Sequence, residues 1–208
     1  MAAPPQIVDR LVVLDNVSWE TYERLLAEHQ NPGGMRFTYD DGRMQIMVLS
    51  LRHEEPNRTL AQLVEVLAEE LELDLRRAGS TTFKRADLRK GFEPDSCFYI
   101  QNAEAIRGKE QIDLTIDPPP DLIIEIDITS ESLKRLPIFA AVGVPEVWRY
   151  DGESVTFLQL EDGSYLEADH SLAFYPLTGQ MATQFLEEST RLKSTAWLRR
   201  VRAWIREQ

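Results

Sequence analysis

Apolar residues recur along this chain with two different periods, and the switches between them mark out its elements. Ser18 followed by Trp19, Tyr22, Leu25 and Leu26 joins an N-cap residue to a 3.6-residue rhythm. This predicts a helix over about 18–30 that ends before Asn31-Pro32-Gly33-Gly34. The runs Met35 to Tyr39 and Met44 to Leu49 flank Asp40-Asp41-Gly42, the turn chemistry of a β-hairpin. Leu60, Leu63, Val64, Leu67 and Leu71 fall on one stripe of a helix expected over about 56–73, with Pro56 in its first turn and His53, Glu54 and Glu55 at its entrance.

Further along, Thr81-Thr82-Phe83 and Ser96 to Ile100 are β-prone segments separated by a turn around Gly91. After three prolines at 118–120, residues 121–128 form a nearly continuous apolar run that suits a central strand covered on both faces. A Ser-rich turn then opens a helix through about Ala141, closed by Gly143. Strands follow at Glu146 to Tyr150 and Val155 to Leu160, and two C-terminal helices at 182–188 and 194–206. The expected fold class is α/β with α+β character: a mixed central β-sheet flanked by α-helices. With 208 residues, one domain spanning 1–208 is expected, its core at about 35–160 and its C-terminal helices at about 182–206.

Composition narrows the picture. Cys97 is the only cysteine, which rules out an intrachain disulfide and a Cys-rich zinc site and suits a reducing cytoplasm. The N-terminus lacks the charged start and apolar run of a signal peptide, and no stretch approaches the ~18 apolar residues of a membrane span. A soluble, cytoplasmic protein with no membrane partner is expected. The formal charge of −12 argues against coating nucleic acid by electrostatics alone. It is unevenly spread: residues 190–208 carry six basic side chains and one acid, and Arg76, Arg77, Lys84, Arg85, Arg89 and Lys90 precede Asp95. Either run offers a phosphate-facing patch, or a solvated face that balances nearby acids.

The chemically informative feature is the strand at 121–128, where ionised residues interrupt an apolar run. A buried carboxylate neutralises or finds a cation, and Glu125 and Asp127, at i and i+2, point to one face. Either a metal ion gathers them or they lie at an exposed strand end and pair with Lys or Arg. Asp95, after Glu93-Pro94 at the mouth of a β-type segment, supplies another carboxylate, although Pro-Asp is also ordinary turn chemistry. Two or three such oxygens hold Mg²⁺ while water and substrate phosphate fill the remaining positions. Glu54 is a further candidate ligand, against the simpler reading that acids favour helix N-termini. His29, His53 and His170 show no metal-ligand spacing, and no Gly-rich phosphate loop is present.

Taken in order, His53-Glu54, Gly79-Ser80-Thr81-Thr82-Phe83-Lys84, Gly91-Phe92-Glu93-Pro94-Asp95, Phe98-Tyr99-Ile100, Pro120-Asp121-Leu122-Ile123-Ile124-Glu125-Ile126 and Gly143-Val144-Pro145-Glu146-Val147-Trp148 resemble the Uma-type restriction-endonuclease family of the PD-(D/E)xK nuclease superfamily. The resemblance runs from about residue 18 to 205. It implies a restriction-endonuclease-like core and Mg²⁺- or Mn²⁺-dependent hydrolysis of DNA phosphodiesters. Asp95, Glu125 and Glu54 would be the metal ligands, and a homodimer is expected from the symmetry of double-strand cleavage.

The chain departs from the superfamily pattern where lysine is expected two residues after Glu125: Asp127 stands there. The resemblance assigns the basic slot to Arg135, with Lys134 beside it and Lys84 as a further candidate. Arginine cannot act as a base but can stabilise a charged phosphate. A salt bridge to Glu131 is the plain alternative for Arg135. The charge reversal at Asp127 also motivates a second functional reading, a non-catalytic binding or assembly module that keeps the nuclease fold.

Overall fold

The structure, a computed structural model, describes residues 10–29, 35–79, 81–128 and 134–208. Its elements run β1 (Arg10–Leu14), α1 (Trp19–Glu28), β2 (Met35–Asp40), β3 (Arg43–Val48), α2 (Leu51–Glu70), β4 (Arg76–Arg77), β5 (Phe83–Arg85), β6 (Lys90–Phe92) and β7 (Ser96–Tyr99). A 3₁₀ turn at Glu104–Ile106 precedes β8 (Leu122–Ile126), α3 (Leu136–Val142), β9 (Glu146–Tyr150), β10 (Val155–Glu161), β11 (Ser164–Ala168), α4 (Gly179–Ser189) and α5 (Ser194–Arg206).

The strands divide into two sheets where the sequence reading anticipated one. A five-stranded antiparallel sheet has the order β1-β3-β2-β6-β5, and a six-stranded mixed sheet has the order β11-β10-β9-β8-β7-β4. In the second, β8 and β9 are parallel and joined through α3, and every other pairing is antiparallel. This mixed sheet with helices on both faces is the core that the resemblance implies. The hairpin β2–β3 belongs instead to the antiparallel sheet, because its third neighbour is β6, with Thr38 opposite Phe92. The chain passes from one sheet to the other between β6 and β7, across Glu93-Pro94-Asp95.

Alternation along β8 explains why the mixed sheet is covered twice. Leu122, Ile124 and Ile126 pack with Leu60, Leu63 and Leu67 of α2 and with Phe185, Trp197 and Val201 of α4 and α5. Ile123 points the other way, into a cluster with Phe83, Phe92, Cys97, Phe139 of α3 and Val147. Each fully buried Leu, Ile or Phe contributes about 1.5–3 kcal/mol relative to exposure, so these two layers fix the sheet's position. Glu146, fully buried at the start of β9, ties the following loop to the sheet by accepting the Trp148 indole N–H and the backbone N–H groups of Leu172 and Ala173, each at 3.0 Å.

Most expected elements are present, with two instructive shifts. Helix α2 begins at Leu51, not near Pro56, because Ser50 occupies the N-cap position and its carbonyl receives the N–H groups of His53 and Glu54. His53 therefore lies within the first turn. Strand β8 ends at Ile126, which leaves Asp127 outside the ladder. The stop expected at Asn31–Gly34 and the Ser-rich turn at 129–133 fall outside the described residues.

The antiparallel sheet has its own small core: Trp19 and Tyr22 of α1 against Phe37, Tyr39 and Met44. Tyr22 stacks on Tyr39 with ring centroids 4.9 Å apart, directly over Gly91 of β6. A Cβ at Gly91 would collide with the Tyr22 ring. Gly91→Ala should therefore destabilise the protein by about 1–3 kcal/mol, the usual cost of overpacking. Urea unfolding checks this, and an unchanged midpoint would contradict the packing described.

Candidate active site

Register brings the two central carboxylates together. In the antiparallel pair β7–β8, Ser96 lies opposite Ile124, so one step further along the ladder Asp95 falls opposite Glu125. Both side chains are buried, at 3% and 7% exposure. Asp95 is held from three directions. Its Oδ2 accepts the Ile126 backbone N–H at 2.9 Å and lies 3.3 Å from His53 Nε2 of α2. One helical turn after His53, Asn57 donates to the Asp95 carbonyl at 3.2 Å and accepts the Ser96 hydroxyl at 2.8 Å. The first turns of α2 thus present His53 and Asn57, at i and i+4, as a clamp on the entry to β7.

Glu125 faces the same side of the sheet as Ile123. Its Oε2 accepts Arg135 Nη1 at 2.7 Å, and Arg135 itself is only 8% exposed, at the N-cap position of α3. The resulting cluster, two carboxylates and one guanidinium, is short of positive charge. Burial pushes the Glu125 carboxyl up, to about 8, against the pull of Arg135 and with the repulsion of Asp95 added. Burial also works against the charge on Arg135, but Glu125, Asp95 and Asp127 outweigh it and hold the guanidinium firmly protonated.

Several polar atoms in this dry setting have no hydrogen-bond partner among the described residues: Asp95 Oδ1, Glu125 Oε1, Arg135 Nε and Nη2, and His53 Nδ1. A buried polar group left without a partner costs about 1–3 kcal/mol. Two acceptors on carboxylates and two donors on a guanidinium in one cluster are complementary to a cation and to an oxyanion respectively. No group of three or more His, Cys, Asp or Glu side chains able to hold a metal occurs among the described residues. Such a cation would therefore take two carboxylates from the protein and its other ligands from water and phosphate, a common arrangement for Mg²⁺.

The other sequence candidates are placed differently. Asp127 is exposed just past the end of β8, where its N–H donates to Tyr150 O at 2.7 Å and its charge reaches Arg135. Lys134 is exposed beside Arg135. Glu54 accepts Arg58 Nε at 2.6 Å on the half-exposed flank of α2 and forms no three-ligand set with Asp95 and Glu125. In this structure its partner is the arginine four residues on. Lys84, on β5 in the other sheet, pairs with Glu23 of α1 at 3.1 Å and is also not brought to the cluster. Glu131, the alternative partner for Arg135, lies outside the described residues.

The two basic runs turn out to be largely engaged within the molecule. Arg202 and Arg206 of α5 pair with Glu69 and Glu70 of α2, and Arg200 with Glu188. In the earlier run, Arg77, Lys84, Arg85, Arg89 and Lys90 pair with Glu65, Glu23, Asp87, Asp41 and Asp40. His53, Asn57 and Ser96 are the site residues that the sequence reading left without a role. The signal that points to them is the i, i+4 pair of buried polar residues on an otherwise apolar helix stripe.

Removing Arg135 tests the electrostatics directly. Arg135→Met removes the cation beside the buried Glu125 carboxyl and should cost about 3–5 kcal/mol of stability once Glu125 is ionised, above a pH of about 8. Because burial raises the carboxyl's pKa, the folded variant binds a proton more tightly than the unfolded chain. The loss should therefore be small at neutral pH and below, where Glu125 carries its proton, and grow as pH rises through about 8. Urea unfolding across pH measures both; a pH-independent loss would contradict the assignment.

Comparison with known proteins adds an independent line. Curated proteins give no match. A similar solved structure is described as "a putative nuclease belonging to DUF820", from Anabaena variabilis ATCC 29413; it is 14% identical, with a TM-score of 0.48, and the likeness covers 72% of this chain and 90% of that one. The model of the Uma2 family, described as "Putative restriction endonuclease", matches residues 19–186, a span that contains β7, β8 and α3 with every member of the buried cluster. The chain belongs to the Uma2 family.

Proposed function

We propose that this protein is a divalent-metal-dependent endonuclease that hydrolyses DNA phosphodiester bonds at the Asp95–Glu125–Arg135 cluster. The observation that carries the reading is the pair of buried, partnerless carboxylate oxygens, Asp95 Oδ1 and Glu125 Oε1, at facing register positions beside a guanidinium with two donors to spare. Asp95 and Glu125 would hold Mg²⁺ or Mn²⁺, which supplies Lewis-acid polarisation of the phosphoryl oxygen and lowers the pKa of a bound water.

The protein's own groups have distinct tasks. His53 Nε2 and the Ile126 N–H fix one oxygen of Asp95, so that the other is presented without rotation of the carboxylate. Arg135 directs Nε and Nη2 at a phosphate oxygen while Nη1 stays on Glu125, which aligns the acid with the anion. Arg135 stays protonated throughout and acts by stabilising charge. Asp127, exposed at the rim, orients water entering the site, and Lys134 adds a cation beside Arg135.

The same Arg135–Glu125 pair supports a second reading, a non-catalytic module, since it already supplies Glu125 with one cationic partner. Cleavage of supercoiled plasmid with Mg²⁺ or Mn²⁺ separates the two. The nuclease reading predicts metal-dependent nicking or linearisation that falls by about 10²-fold or more in both Asp95→Asn and Glu125→Gln. Cleavage that survives both substitutions would reject the site, and a folded parent that cuts no DNA would favour the second reading.

A further inference from the structure

An acidic protein that binds a polyanion needs unpaired cations at its site, and here the two basic runs of the sequence are largely spent on intramolecular pairs. Arg149, near the cluster, is not among those pairs. On the parallel partner strand β9, Arg149 is the register neighbour of Glu125. The faces are fixed by the residues before it: Ile123 and Val147 pair and share one apolar cluster, Ile124 and Trp148 pair and share the other. Glu125 and Arg149 come next in alternation and so project from the same face, on strands about 4.8 Å apart.

Arg149 is partly exposed, its Nε is buried without a hydrogen-bond partner, and no carboxylate lies within ion-pair distance of it among the described residues. Asp151, two residues on, feels its charge but is held chiefly by the backbone N–H groups of Ser154 and Glu153. This contrasts with Arg77, Arg89 and Arg206, whose Nε atoms each meet a carboxylate. A guanidinium with a dry, unfilled donor and a solvent-facing end, beside an acid of the cluster, suits an oxyanion that arrives from outside.

We propose that Arg149 is a substrate-backbone contact, a second guanidinium that, with Arg135, grips the phosphodiester backbone of the nucleic acid. The assignment rests on the nuclease reading. Arg135 sits inside the cluster and meets the phosphate at the reaction centre; Arg149, one strand over and at the rim, meets the same phosphate or the next along the strand. Its contribution is to binding, so its loss should raise KM far more than it lowers kcat.

The test is fluorescence anisotropy of a short fluorescein-labelled DNA duplex in Ca²⁺ buffer over a salt series, on the full chain. Arg149→Gln should bind more weakly, with a log–log salt slope shallower by about 0.9, the signature of one lost phosphate contact. Arg149→Lys should keep the slope and lose affinity, because the charge stays and the fork is gone. Arg199→Gln, an exposed site on α5 over the opposite face, should match the parent in both. Thermal melts establish that each variant is folded; if Arg149→Gln is not, Arg149→Lys decides, and parental affinity in it overturns the assignment. Parental affinity and slope in a folded Arg149→Gln overturn it while leaving the nuclease reading intact. A parent that fails to bind the duplex removes both together.

Discussion

Two buried acids on neighbouring strands, one of them paired with the buried guanidinium of Arg135, set the terms for the rest of this molecule. Asp95 and Glu125 are buried among the hydrophobic layers around β8, and burial penalises the charge on Glu125. Arg135 offsets part of that penalty. The remainder is visible as carboxylate oxygens without partners, and a site built this way has a standing preference for one more positive charge.

Much of the surrounding architecture can be read as support for that arrangement. Helix α2 uses its apolar stripe to anchor the mixed sheet and its first turns, through His53 and Asn57, to fix Asp95. The passage between the two sheets at Glu93-Pro94-Asp95 is pinned on its other side too: Glu93 accepts the Phe37 N–H at 2.9 Å and the Thr82 hydroxyl, so the antiparallel sheet holds the segment that delivers the aspartate. Packing and chemistry therefore share residues, and a change in either sheet is felt at the cluster.

The parts legible in the sequence were those with strong periodicity or local chemistry: the α1 cap at Ser18, the Asp41-Gly42 hairpin, the apolar run of β8, and the left-handed Gly143 that ends α3. What the sequence concealed depended on pairing across long distances. Short strands such as β4 and β6 carry too few residues to show a period, so the division into two sheets was invisible. Asp95 and Glu125 stood out as lone acids beside apolar runs. Their register could not be deduced from composition, and neither could the partners that draw Glu54 to Arg58 and Lys84 to Glu23. The basic runs are faces that balance nearby acids, one of the two readings the sequence offered, but the acids themselves come from other elements and could not be named from sequence.

The central claim is that Asp95 and Glu125 together form a cation site, proposed from their buried, partnerless oxygens. Among the described residues no helix is long and apolar enough to cross a membrane. Titration calorimetry with Mn²⁺, on the parent chain and on Asp95→Asn and Glu125→Gln, addresses the claim without presupposing a substrate. The account predicts binding by the parent that both folded variants lose. A folded parent that takes up no Mn²⁺, or variants that bind as the parent does, would contradict it.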